Sequence, residues 1–172
     1  ELNRVLRTPC HAYVFCHWES WPDFYDALAP YMNVKNALIW DKRNYGPGDC
    51  DGDYAHDYEM VAFAHVGGRR ELNGGRDLAV QHVPVIPGGA RTHPTEKPIE
   101  LLGFYLRKST QPGDVVLDPF CGSGATLAAA KLDGRRAIGI ELEERYCETA
   151  AQRCGQGVLD FDAAFLAGGD GT

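Results

Sequence analysis

Apolar and polar positions follow two different rhythms along this chain, and the change falls near residue 93. Before it, short aromatic or β-branched runs are separated by turn-forming residues. The run His11 to His17 (HAYVFCH) predicts a strand, as do Ala37 to Trp40 and Tyr58 to Ala64. Ser20, with Asp23 three residues on and Pro22 in the first turn, predicts a capped helix reaching about Tyr31. Asn44 to Tyr54 is rich in Gly, Pro and Asp and predicts a loop. Gly67 to Pro94 is Gly-, Pro- and Arg-rich with little period, and only Leu78 to Val85 fits a short strand.

After residue 93 the elements are regular. Pro98 opens a helix with Leu101, Leu102, Tyr105 and Leu106 on one face. Gln111 to Asp114 is a turn, and Val115 to Asp118 reads as a buried parallel strand. Pro119 to Gly124 makes a tight turn into a small-residue helix, Ala125 to Asp133, stopped by Gly134. Ala137 to Ile140 predicts a second buried strand, ending at Glu141, and Glu143 to Cys154 a final helix stopped by Gly155. Strand, helix, strand and helix with short connections imply a doubly wound α/β sheet.

Composition narrows the classes. Apolar residues make up 44% of 172, enough for one core and too many for a disordered chain. No apolar run is long enough to cross a membrane, and no basic-then-apolar leader is present. The net charge of −7 argues against a broad, non-specific coat on nucleic acid. The acids are concentrated at 49–59 and after Gly157, however, and Lys42-Arg43, Arg69-Arg70 with Arg76, and Arg135-Arg136 leave room for one basic edge. Six scattered cysteines without a C-x-x-C pair predict neither a zinc site nor a disulfide framework, and a reducing cytoplasm fits. Asp49 to Asp53 has the acidic start of a calcium loop, but Tyr54 and Met60 stand where Gly and Glu are needed.

Candidate chemistry converges on the turn Asp118 to Thr126 (DPFCGSGAT). In doubly wound sheets ligands sit at the carboxyl ends of the strands. The turn's glycines permit close approach, the following helix offers free N–H groups, and Glu141 at the end of the next strand can accept from ribose hydroxyls. Leu127 stands where a dinucleotide fingerprint needs its third glycine, and no Gly-Lys-Ser/Thr is present, so a pyrophosphate fits poorly. A nucleoside with a short zwitterionic tail, S-adenosyl-L-methionine, fits better.

These residues resemble a known family. DPFCGSGAT is similar to motif I of the DNA amino-methyltransferases, which methylate the exocyclic amine of adenine or cytosine. His93 to Pro98 (HPTEKP) resembles their motif X, and Ala137 to Tyr146 (AIGIELEERY) their motif II. The order X, I, II marks the permuted class called β. Arg4-Val5-Leu6, Ile39-Trp40-Asp41-Lys42 and Asp57 to Phe63 resemble flanking segments, so the likeness covers about residues 2–154. It implies an α/β, Rossmann-like S-adenosylmethionine-dependent methyltransferase fold, permuted and incomplete, acting on double-stranded DNA. It also implies one domain over residues 1–172: post-catalytic strands at 1–66, a short recognition or linker region at 67–92, a cofactor-binding β-α-β unit at 93–155 and a tail at 156–172.

The resemblance implies roles residue by residue. Phe120, Cys121, Gly122, Ser123, Gly124 and Thr126 would surround the methionine and ribose, with N–H donors from Gly122 to Gly124. Glu141 would hold the ribose and Thr95 and Lys97 the methionine carboxylate, and His93, Pro98 and Asp118 would complete the cofactor-binding set, His93 by ordering its loop and Asp118 by bracing the turn. Cys121 is expected to be a small buried residue without a nucleophilic role. Arg69, Arg70, Arg76 and Arg91 fall where the family places target recognition. The family's catalytic motif, Asp, Asn or Ser followed by Pro-Pro-aromatic, has no match, because no Pro-Pro occurs in the 172 residues. No catalytic residue is therefore assigned, and a central strand beside Val115 to Asp118 is expected to be missing, leaving unpaired edges. A non-catalytic cofactor- or DNA-binding module of the same family is the alternative.

Overall fold

The computed structural model describes residues 2–44, 51, 52, 54–90, 93 and 95–155. Most of the expected acidic loop, Arg91 and the tail expected at 156–172 lie outside them. In chain order the elements are α1 (Leu2–Val5), β1 (Cys10–Cys16), α2 (Trp21–Leu28), β2 (Asn33–Asp41), β3 (Tyr58–Val66), β4 (Val80–His82), a 3-10 turn (Gly88–Ala90), α3 (Ile99–Ser109), β5 (Val115–Asp118), α4 (Ala125–Leu132), β6 (Arg136–Gly139) and α5 (Glu144–Gly155).

The strands form two separate sheets, ordered β1-β3-β2-β4 and β5-β6. In the first, β3 runs antiparallel to β1 and β2, with Cys16 opposite Met60 and Trp40 opposite Glu59. β4 is parallel to β2, as β6 is to β5. Consecutive β3 residues Val61, Ala62, Phe63 and Ala64 are all buried, which a strand achieves only when both faces are covered. β1 and β5 are each an edge among the described residues, so Val115–Asp118 and Cys10–Cys16 do not pair. That is the arrangement expected when a central strand is not among these residues.

α3 joins the sheets. Its Leu101 and Tyr105 pack with Trp40, Val61 and Val83, while Leu102 packs with Ala125 and Ala129 of α4. Leu101 is fully buried, worth about 1.5–3 kcal/mol relative to exposure. A polar tie reinforces the join. Ser109 Oγ at the end of α3 lies 2.8 Å from His11 Nδ1 and 2.7 Å from Tyr13 Oη. His11 Nε2 meets the Arg70 carbonyl at 3.0 Å, so Nε2 donates and Nδ1 accepts from Ser109.

Three local expectations change. Ser20 makes no cap bond; its Oγ donates to the His17 carbonyl at 3.0 Å, and α2 stops at Leu28, just before Pro30 would break the helical bonding. β2 and β3 are longer than their apolar runs, because ladder pairing extends a strand through polar residues such as Asn33 and Asn36. β6 was expected to be buried but is exposed along its length: it is the outer strand of a two-stranded sheet, and α4 covers only one face.

Two measurements follow. Gly124 has φ +81, and a Cβ there would stand 2.7 Å from Cβ of Ala150 in α5. Gly124→Ala should therefore lower the unfolding free energy by about 2–3 kcal/mol through backbone strain plus overlap, read by urea denaturation. Burial holds His11 below the ordinary imidazole pKa, with His65 and Arg70 opposing its charge as well. The unfolded state then binds more protons, so the stability His11 contributes is full above about pH 6.5 and is lost as pH falls towards its folded pKa. The urea midpoint should drop between pH 7.5 and 5.5, and the drop should shrink in His11→Gln.

Candidate functional site

The carboxyl ends of the parallel strands form one rim, and every element that meets there is held by backbone geometry. β5 ends at Asp118, whose Oδ1 accepts the Phe120 N–H at 3.1 Å and braces the turn. The ladder continues past the strands through Ile140 N–H to the Asp118 carbonyl (2.9 Å) and Cys121 N–H to the Ile140 carbonyl (3.0 Å). Gly122 (φ +50) and Gly124 then turn the chain into α4.

Glu141 fastens this turn to the next element. Its Oε2 accepts the Gly122 N–H at 2.8 Å, and its Oε1 accepts those of Leu142 (2.8 Å) and Glu143 (2.9 Å). These bonds, the Glu143 N–H first, hold its carboxyl below the usual pKa range. Oε1 has both acceptor positions filled, while Oε2 keeps one for a hydroxyl. The donors are also redistributed from the sequence expectation. Gly122 N–H goes to Glu141, and Gly124 N–H to the Cys121 carbonyl at 2.8 Å. Among the described residues, the N–H of Ser123, a residue only 2% exposed, and those of the first turn of α4, ahead of the first helical bond from Ala128 to Gly124, have no protein acceptor. Thr126 sits in that turn, half-buried.

Phe120 is 87% exposed, so its ring stands clear of the core at the rim. Cys121 is half-buried, and burial, with the nearby Asp118 and Glu141 carboxylates, pushes its thiol up to about 11. It stays protonated at neutral pH and is no nucleophile.

His93 and residues 95–98 form a strap along the same rim. The His93 ring lies against Gly122, 3.3 Å from where a Cβ would be, and packs on Tyr146 with centroids 4.2 Å apart. Thr95 donates its N–H to His93 Nδ1 at 3.2 Å. Glu96, only 4% exposed at its side chain, pairs with Arg153 of α5 at 2.6 Å. Lys97 reaches the other way. Its Nζ meets Glu59 Oε2 at 2.6 Å and lies over the rings of Phe15 and Trp40, and Pro98 is buried as α3 begins. The ammonium expected to meet a methionine carboxylate already has a protein partner on the other sheet.

Sequence reasoning missed Glu59, which also takes Lys42 at 3.1 Å. Burial pushes its carboxyl up, but the Lys97 and Lys42 ammonium groups outweigh that and hold it below its ordinary range. The local Tyr58-Glu59 and Trp40-x-Lys42 patterns were visible, yet nothing local links Glu59 to a lysine 38 residues away. Of the arginines expected to recognise a target, Arg69 and Arg70 lie away from this rim. Arg70 donates its N–H to His65 Nδ1 at the far end of β3, and Arg69 lines a cleft of about 510 Å³ there with Tyr25, Tyr31 and His65. Of the tryptophans, Trp40 is core, donating Nε1 to the Val83 carbonyl at 2.7 Å, while Trp18 is 47% exposed.

Comparison with known proteins places this geometry. The profile of a family described as DNA methylase, of the N6/N4 type, matches residues 69–152. The Type II methyltransferase M2.DpnII of Streptococcus pneumoniae is 33% identical over 137 residues, 71% of this chain and 51% of that protein. YubD of Escherichia coli K12 is 52% identical over 65 residues, 38% of this chain and 29% of that protein. The chain thus spans about half the length of M2.DpnII and less of YubD. Among solved structures, the M1.HpyAVI–SAM complex superposes with TM-score 0.79 at 29% identity, over 88% of this chain and 78% of that one. The cytosine-N4-specific PvuII DNA methyltransferase shares the fold, with TM-score 0.74 at 15% identity over 96% of this chain and 71% of that one. The two-sheet α/β body, with its glycine turn closed by Glu141, belongs to the N6/N4 DNA methylase family.

Proposed function

We propose that this chain supplies the S-adenosyl-L-methionine-binding half of an enzyme that methylates the exocyclic amine of adenine or cytosine in double-stranded DNA. The observation that carries the reading is the junction at Glu141. A carboxylate with one acceptor position open, a helix N-terminus with unused N–H groups and an exposed aromatic ring meet at the carboxyl ends of β5 and β6. That donor set suits a nucleoside with a zwitterionic tail. Glu141 Oε2 would take a ribose hydroxyl, and Ser123 with the first turn of α4 would face the anionic part of the tail. Phe120 would lie against the cofactor, with Asp118, Gly122, Gly124 and His93 shaping the wall and Thr126 facing it from α4. When bound, the cofactor would supply an electrophilic methyl on sulfur; the chain's part is to hold and orient it. The cytoplasm is the compartment in which such an enzyme would meet DNA, and no helix among the described residues is long and apolar enough to cross a membrane.

The second reading, a non-catalytic binding module, is favoured by one observation. Among the described residues, the edges of β1 and β5 that would flank a catalytic strand do not pair with each other.

Calorimetric titration of S-adenosyl-L-methionine into the chain should give saturable binding, and Glu141→Ala should weaken it by about tenfold or more through loss of a charge-assisted hydrogen bond and loosening of the Gly122 turn. Absence of binding to a folded wild-type chain, with circular dichroism as the check on folding, would sink the cofactor reading. Transfer of tritiated methyl to unmethylated duplex DNA by the chain alone would exclude the binding-module reading.

A further inference from the structure

The cluster of Lys42, Glu59 and Lys97 is not used by the cofactor site. It lies on the same rim but over the first sheet, at the end of β2 and the start of β3. One carboxylate stands between two ammonium groups, with Oε2 on Lys97 at 2.6 Å and Oε1 on Lys42 at 3.1 Å. Among the described residues of this cluster, one positive charge is left over. Each lysine uses one N–H on Glu59 and has no further protein acceptor among the described residues. The three side chains are only 19–22% exposed, so water screens the excess charge less than at an open surface. Both ammonium groups also lie 5.6 Å from the centre of the buried Trp40 ring, which fixes their positions. The neighbouring Cys16 thiol is pushed up by burial and by Glu59, so it remains neutral and adds no balancing anion. A half-sheltered, positioned, uncompensated cation with open donors is an oxyanion site.

Two anions belong to the proposed reaction, the cofactor's carboxylate and the DNA backbone. Position favours the second. If a strand fills the gap between β5 and β1, the β3 end stands roughly 14 Å along the rim from the β5 end, at about 4.8 Å per strand. An extended methionine tail starting at Glu141, on the far side of β5, does not span that distance. We therefore infer that Lys42 and Lys97, held by Glu59, take a phosphodiester of bound DNA. Lysine acts there as a point charge on the phosphate and carries no base specificity. This inference rests on the proposed function, and Glu59 enters as a positioning residue that also restrains the charge of the pair.

The test is fluorescence anisotropy of the full chain with a short, labelled, mixed-sequence duplex over a range of KCl, beside calorimetry with S-adenosyl-L-methionine. Lys42→Met and Lys97→Met should each weaken duplex binding about fivefold to tenfold and reduce the log–log salt slope by about one. Cofactor affinity should not change. Glu59→Gln should act in the opposite direction, tightening binding by about threefold and steepening the slope, because it removes the competing anion. A purely structural cluster predicts weakening in Glu59→Gln as well, and that result, or an unchanged slope in the lysine variants, overturns the inference. Reduced cofactor affinity in Lys97→Met with unchanged duplex binding would assign the cluster to the carboxylate instead, and equally overturns it. A wild-type chain that binds the cofactor but not the duplex refutes this inference alone; one that binds neither refutes the proposed function with it.

Discussion

The structure depends on α3 having two apolar faces. The four-stranded and two-stranded sheets share no ladder, so backbone hydrogen bonding does not unite them. Leu101 and Tyr105 commit one face of α3 to the larger sheet, and Leu102, with Leu106 beside it, commits the other to α4. The hydrophobic term is non-directional and follows the area removed from water, so it can hold two sheets in register without a strand between them. The Ser109, His11 and Tyr13 contacts then supply the direction that apolar packing lacks. The strap at 93–98 is the second bridge, fixed at one end by His93 on Gly122 and at the other by Lys97 on Glu59.

Burial follows from this arrangement. β3, with a neighbour on each side and cover on both faces, buries Val61 to Ala64 and Val66 and exposes none of its residues fully. β6, with one neighbour and one covered face, is exposed, its apolar Ile138 included. Apolar composition alone therefore did not decide burial in β6; the number of neighbouring elements did. The exposed Ile138 and the ring of Phe120 stand on the two-stranded side, while the first sheet has packed its own core around Trp40. The unpaired edges of β1 and β5 belong to the same picture, since a strand edge without a partner keeps its N–H and C=O groups free.

Legibility in the sequence tracked the range of the interactions. The element order and the turn at Asp118 to Thr126 were readable, because period, glycine punctuation and strand ends are local signals. The apolar positions of α3 were readable too, since the spacing of Leu101, Leu102, Tyr105 and Leu106 needs no tertiary information, but their division between two packing partners was not. Ser20 was misread because a local capping pattern competes with a second local choice, donation back to His17. The partner of Lys97 was out of reach in principle. Motif resemblance located the lysine, but only the fold brings Glu59 to it.

The glycines of the turn show how a motif can be read correctly for position and incompletely for cause. Close ligand approach is the reason the sequence offers for Gly122 and Gly124. Both, however, have positive φ, and both face protein: a Cβ on Gly122 would press on His93, and one on Gly124 would collide with Ala150. The absence of side chains first lets the strap and α5 close around the turn. That closure is also what sets the site. With Glu141 drawn onto Gly122, the N–H groups of Gly122 and Gly124 are used within the protein, and those further along, at Ser123 and the start of α4, have no acceptor among the described residues. Protein packing thus selects which backbone donors a ligand can meet.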